Sequence, residues 1–189
     1  MSAFLVEEES ALDHPVSESN VRSTRNHSSR SRASGFEQVV EFLIGDERFA
    51  VDLFDTREVI NTPEVTPIPN APPFITGMID LRGVITTIID LREMMHITRE
   101  STGKKRSRVI VLDKTVSEKM IGILVDDVSS VTTYAKEDID QDAHSSDDSH
   151  RDIIGIIRKQ IKDAHGKETR KLVIWLDIQK MIRRVEKDL

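Results

Sequence analysis

From Phe36 onward, apolar and polar residues fall into short alternating runs. Val40, Phe42 and Ile44 share one side of an extended segment, with Glu41 opposite. After Gly45-Asp46, the residues Phe49, Val51 and Leu53 alternate with Arg48, Ala50 and Asp52. Two alternating runs around a Gly-Asp pair predict a β-hairpin. The next segment, Phe54 to Ile60, predicts a short helix, with Asp55 as N-cap and Glu58 three residues on completing a capping box. Five of the six prolines then fall between Pro63 and Pro73, which excludes helix and central strand and predicts a stiff, extended connector.

Further strands are predicted at Ile75–Leu81 and Val84–Ile89, around Arg82-Gly83, followed by a helical turn from Asp90 to His96. The second half supplies strands at Val109–Leu112, Met120–Val125, Val128–Thr133, Ile153–Ile157 and Leu172–Leu176. Ile178, Met181, Ile182, Val185 and Leu189 recur at the spacing of one helix face, giving a C-terminal helix. Many short strands with little helix predict a mainly β fold of small barrels rather than βαβ units. Two pairs of segments echo each other. Ile89-Asp90-Leu91 with Met94-Met95 matches Leu176-Asp177-Ile178 with Met181-Ile182, each a strand whose last aspartate caps a helix. Earlier in each half, Ile75-x-Gly77-x-Ile79 matches Ile153-x-Gly155-x-Ile157. The separations are 87 and 78 residues, so nine extra residues lie between the second pair of motifs. The echo predicts two similar barrels, with their boundary near the charged stretch 99–108.

Composition trims this picture. Residues 1–34 end in a Ser/Arg-rich run, Arg22 to Ser34, with neither periodicity, and predict an unstructured tail. The ordered domain then runs from 35 to 186. Hydrophobic residues make up 38% of the chain and aromatics 4%, so the core must be built from Ile, Val, Leu and Met. The net charge of −6 argues against nucleic acid as a partner. There is no cysteine, which removes disulfides, thiolate metal sites and cysteine nucleophiles together. No apolar run approaches the roughly 18–20 residues that cross a bilayer, and Glu7, Glu8 and Glu9 interrupt any signal-like start. The expectation is a cytoplasmic protein without membrane insertion.

The chain offers little chemistry. Gly103-Lys104 lacks the first glycine of a phosphate loop, and no Gly-x-Ser-x-Gly turn is present. Asp138-x-Asp140-x-Asp142 begins like a calcium loop. Ala143 replaces its glycine, however, and Ser149 stands where a bidentate glutamate belongs. His144, His150, Asp147 and Asp148 read as part of a solvated acidic loop. No nucleophile, base and orienting group gather on recognisable elements. The reading is a non-enzyme with no metal and no cofactor.

Several stretches together carry a resemblance. They are the hairpin FLIGDERFAVDL, the REVI segment, the spacer TPEVTPIPNAPPFITGMI, the run LRGVITTIIDLREMM, and downstream MIGILVDDVSSV and LVIWLDIQKMI. Over residues 36–186 the chain resembles the CheW-like domain family. The proline-containing spacer followed by a glycine strand and Leu-Arg-Gly is the most specific element. The resemblance implies two five-stranded SH3-like β-barrels packed on a shared core, with short helices and a C-terminal helix. It implies a chemotaxis scaffold in a ternary complex. One partner would be the cytoplasmic hairpin tip of a chemoreceptor and the other the regulatory domain of the kinase CheA, with recruitment to membrane-associated receptor arrays. Carried over by position, the receptor groove comprises Glu58, Val59, Arg82, Ile85 and Gly122, with Thr56 and Met78 at its margin. The kinase contact falls on Ile153, Ile154, Gly155 and Ile156. Arg82, between Leu81 and Gly83 amid apolar strands, must reach solvent or a partner, and Glu58 is the natural one. The chain departs from the family's pattern at Asp80, Thr87 and Asp127, where Asn, Pro and Gly are frequent. A β-barrel nucleic-acid binder using the basic tail is the competing class. It would need exposed aromatics interleaved with basic residues, and this chain has one Trp and one Tyr.

Overall fold

The computed structural model describes residues 35–97, 107–141, 152–162 and 168–186. The tail 1–34, the stretch 98–106 and the loop 142–151 with its histidines lie outside them.

Strand β1 (Phe36–Ile44) turns through Gly45-Asp46 into β2 (Glu47–Asp52), with Ile44 opposite Glu47. Gly45 has φ of 61°, the left-handed backbone that a tight two-residue hairpin turn requires. The helix expected over 54–60 does not form. A single 3-10 turn over Leu53–Asp55 is capped by Asp52, which accepts from the Phe54 N–H at 2.8 Å, and β3 (Thr56–Asn61) follows. Asp55, the expected N-cap, instead accepts from Gln179 Nε2 at 2.6 Å. Thr56, Val59 and Ile60 are β-branched and stiff at χ1, and β6 offers them a ladder, so pairing overrides the capping pattern.

The proline segment runs extended and touches down once, where Thr66 and Met78 exchange two 2.8 Å backbone hydrogen bonds. Strands β4 (Ile75–Leu81) and β5 (Val84–Asp90) flank the Arg82-Gly83 turn, and Asp90 caps α1 (Leu91–Met94). Then come β6 (Arg108–Leu112), β7 (Ile121–Val125), β8 (Asp127–Ala135) and the short β9 (Ile139–Asp140). The chain closes with β10 (Ile153–Lys162), β11 (Glu168–Leu176) and α2 (Ile178–Val185).

These strands make two sheets, ordered β3-β6-β7-β5-β4 and β8-β1-β2-β11-β10-β9. The fold is mainly β, of the double SH3-like barrel class. The second sheet carries six strands rather than five, because β9 pairs with β10 where the first sheet has only the Thr66–Met78 bridge. The expected division near 99–108 is corrected by the pairing. The strands on either side of that stretch, β5 and β6, belong to one sheet. The chain changes sheet after β2 and again at Asp126, so β1 and β2 complete the sheet built by the C-terminal third.

The internal echo is structural. Asp90 and Asp177 both cap helices, and their backbone N–H groups donate to the carbonyls of Phe74 and Asp152, each at 2.8 Å. A register shift occurs between Ile75 and Gly77 and again between Ile153 and Gly155. β5 runs parallel to β7 as β11 runs parallel to β2. The nine extra residues also find their place. Asp80 pairs with Ile85 across a tight turn, whereas the corresponding pair, Arg158 and Leu172, closes a hairpin nine residues longer.

Strands buried on both sides explain the near-continuous apolar runs. In β6, Val109 and Val111 face the interior of the first barrel, while Ile110 and Leu112 face a core common to both sheets. That common core joins Phe42, Ile44, Phe49, Ile89, Ile121 and Ile123 with Leu91 of α1 and Ile178, Met181 and Ile182 of α2. The second barrel encloses Val39, Ala50, Ile157, Val173 and Trp175.

Inside that barrel lies a charged network. Glu41 is fully buried, accepting from Tyr134 Oη at 2.5 Å and from Lys159 Nζ at 2.7 and 2.8 Å. Burial pushes the Glu41 carboxyl up, but Lys159, Tyr134 and Thr132 more than offset this and hold it below the usual carboxylate range. The Tyr134 hydroxyl is pushed up by burial and by the Glu41 carboxylate beside it.

Candidate functional site: a charged and apolar edge on the first barrel

β3 and β4 are the two terminal strands of the first sheet. The Arg82 guanidinium reaches from the β4–β5 turn to Glu58 on β3, with Nη2–Oε2 at 3.0 Å and Nη1–Oε1 at 3.3 Å. This two-pronged pair therefore links the open edges of the sheet, alongside the Thr66–Met78 bridge. Arg82 and Gly83 both have positive φ, 56° and 84°, as a type I′ turn demands. Asp80 fixes that turn by accepting from the Gly83 N–H at 2.6 Å. The Arg82 side chain remains 76% exposed and Glu58 23%. The pair is thus a surface feature, and the larger cost of breaking a buried pair does not apply to it.

The strands that carry or adjoin the pair also bear exposed aliphatic side chains. Ile85 is 62% exposed, Val84 47% and Val59 42%. Ile85 lies across from Asp80, and Met78, half-buried on the same outer face of the hairpin, lies across from Thr87. Thr56 opens β3 half-buried, with its Oγ1 3.4 Å from the Asp52 carbonyl. Sequence reasoning passed over Val84. The signal was available, because two adjacent apolar residues after a turn cannot both face one core.

Gly122 does not join this surface. It is buried, and a Cβ placed on it would meet Val109 Cγ1 and Ile88 Cδ1 inside the barrel. The glycine leaves room for two large neighbours. Of the four residues assigned to the kinase, Ile153 packs on the common core and Ile154 on the second barrel's core. Gly155 is buried, with its Cβ position 3.0 Å from the Asp140 carbonyl oxygen. Ile156 is half-buried on the outer face, opposite Ile174. The exposed large aliphatics of that sheet are Val131 and Leu172.

Other charges tie the sheets together. Asp126 accepts from the Gly45 N–H at 2.6 Å and from Arg92, at the point where the chain passes between sheets. Asp140, in the stretch that begins like a calcium loop, is paired with Arg158. Among the described residues, no group of three or more acidic or histidine side chains is placed to hold a metal. No helix among them is long and apolar enough to cross a membrane.

The molecule is a double β-barrel on a common core, with exposed aliphatic residues and an exposed ion pair at one edge of the first barrel. The family model for the CheW-like domain matches residues 38–186, and the chain belongs to that family. "Chemotaxis protein CheW" of Rhizobium meliloti is 29% identical over 106 residues, which is 56% of this chain and 66% of that protein. "Probable chemotaxis protein CheW" of Rhizobium etli is 30% identical over 122 residues, 65% of this chain and 77% of that protein. The crystal structure of the scaffolding protein TtCheW from Thermoanaerobacter tengcongensis superposes with a TM-score of 0.62. It shares 27% sequence identity, over 77% of this chain and 87% of that one. The relatives are thus named as chemotaxis proteins, and the solved neighbour as a scaffolding protein.

Proposed function

We propose that the chain couples chemoreceptors to the histidine kinase CheA in a ternary signalling complex, and that it does so without catalysis. The observation that carries this reading is the edge of the first barrel. Ile85, Val84 and Val59 are exposed on β5 and β3, the strands next to the Glu58–Arg82 pair in the chain. An amphipathic helix of a receptor's cytoplasmic hairpin tip fits such a surface, its apolar stripe on the aliphatics and its flanking polar groups on Arg82 and Asp80. Glu58 and Arg82 then hold the edge in shape and Ile85 makes the contact, with Thr56 and Met78 at the margin. The regulatory domain of the kinase is assigned to the second sheet around Ile153–Ile156, where Ile156 is the outward-facing member. Coupling follows from linkage: receptor conformation biases the kinase through whatever contacts differ between its two states.

The nucleic-acid reading loses its footing. Trp175 and Tyr134 are buried within the second barrel, and the exposed aromatics, Phe36 and Phe54, stand singly at the start of β1 and in the 3-10 turn rather than interleaved with basic residues on a strand face.

The test is co-sedimentation with a receptor-tip fragment and the isolated kinase regulatory domain. The wild-type chain should bring down both. Ile85→Asp should lose the receptor fragment and keep the kinase domain. A wild-type chain that retains neither partner would overturn the proposal.

A further inference from the structure

The nine extra residues lengthen the β10–β11 hairpin into an arm that its counterpart, the tight Asp80–Ile85 turn, lacks. Beyond the pair Lys159–Lys171, which matches the last pair before the Arg82-Gly83 turn, the ladder continues through Gln160–Arg170 to Lys162–Glu168. The exposed outer face of this arm carries Arg158, Leu172 and Arg170. Leu172 is 58% exposed, and among the described residues no carboxylate pairs with Arg170. Arg158, at the root, is paired with Asp140. An exposed leucine between two arginines calls for an occupant that is aliphatic at one point and acidic two residues away.

We infer that this face receives the chain's own segment Phe4 to Glu9, FLVEEE, which lies outside the described residues. In an extended segment, alternate side chains share a side about 6.5–7 Å apart. Leu5, Glu7 and Glu9 would therefore repeat at the spacing that separates Leu172 from Arg170 on β11. Leu5 covers Leu172, and Glu7 meets Arg170. The reach is sufficient. The pairing places Leu172 level with Ile44, eight residues along β1 from Phe36 and two strands across. That is a span of about 30 Å by strand dimensions. The roughly thirty residues from Leu5 to Gly35 have a maximum reach of about 100 Å, well beyond that span. This docking is independent of the adaptor reading. It would place a removable cover over one exposed leucine of the second sheet.

The chain contains no cysteine, so an introduced pair reports proximity directly in the full-length protein. Leu5→Cys combined with Leu172→Cys should form an intrachain disulfide at least about ten-fold faster than Leu5→Cys combined with Val131→Cys, a preference of ~1.4 kcal/mol. Val131 is 57% exposed, and it lies nearer along the sheet to the point where the tail joins, so an unguided tail would favour it. Arg170→Glu, or salt at about 1 M, should remove the advantage. Equal or slower linkage than the control would overturn the inference, as would a rate indifferent to Arg170→Glu. Disulfides formed between chains alone would assign the face to a second copy and overturn it equally.

Discussion

Under the proposed function the Glu58–Arg82 pair both holds the barrel edge and shapes a docking surface, and the two roles separate under charge exchange. With 76% of the Arg82 side chain exposed, the ion pair contributes only about 0.2–1 kcal/mol to stability despite its two-pronged geometry. Arg82→Ala should therefore shift the urea midpoint by less than about 1 M, given slopes of roughly 1–3 kcal/mol per molar for a domain of this size. Binding should respond differently. Truncating a charge that becomes buried and hydrogen-bonded at an interface costs about 2–5 kcal/mol, or roughly thirty-fold to several thousand-fold in Kd. The exchange Glu58→Arg with Arg82→Glu re-forms the pair in reverse. It should recover the midpoint, yet leave affinity for a receptor-tip fragment near that of Arg82→Ala in a calorimetric titration. A loss above about 2 kcal/mol of stability in Arg82→Ala would refute the surface-pair argument. Recovery of both stability and affinity in the exchanged protein would show that Arg82 acts only through Glu58.

Three further outcomes follow from the packing. Lys159→Met leaves Glu41 charged and without its cation inside the second barrel, costing about 3–5 kcal/mol at neutral pH by urea titration, with Glu41→Leu added to it recovering most of that. Glu41 has a lowered folded-state pKa, so the wild-type pair contributes stability above the unfolded value and loses it as pH falls through the folded one. Lys159→Met takes away the largest of the influences that lower the carboxyl's pKa, so its deficit should shrink as pH falls through the range where the variant's Glu41 takes up a proton and the wild type's does not. Gly77→Ala should destabilise by roughly 1–3 kcal/mol in thermal melts, because its φ of 152° and the Thr66 carbonyl leave no place for a Cβ. Asp177→Ala should cost about 0.5–2 kcal/mol through loss of the hydrogen bond from the Lys180 N–H, seen as a lower melting temperature.

How much of this was legible in the sequence depends on whether the information was local. The Gly45-Asp46 and Arg82-Gly83 hairpins were, because turn residues and alternation are read within a few positions. The aspartate-capped helices after β5 and β11 were legible for the same reason. Thr56–Asn61 was not. Its local pattern fits a capped helix, and a strand fifty residues away decided otherwise. The sheet division was hidden for a related reason, since the break in composition at 99–108 says nothing about which strands pair. At the candidate site, the Arg82–Glu58 pairing was legible because a charged residue set among apolar strands needs solvent or a partner, whereas Ile85 came only from a family position. Gly122 was also carried over by family position, which does not say which face of a strand a residue takes, and here that position is buried.

The crossing of the first hairpin into the last third of the chain has a consequence for synthesis. During translation β1 and β2 emerge first, as a two-stranded ribbon too small to persist alone. The sheet from β3 to β7 is contiguous and can assemble while the rest is still being made. The second barrel must wait for β11, which pairs with β2 near the carboxyl end. Its charged interior, Glu41 from the beginning of the chain and Lys159 from near the end, thus assembles late, on a platform the first barrel has already built.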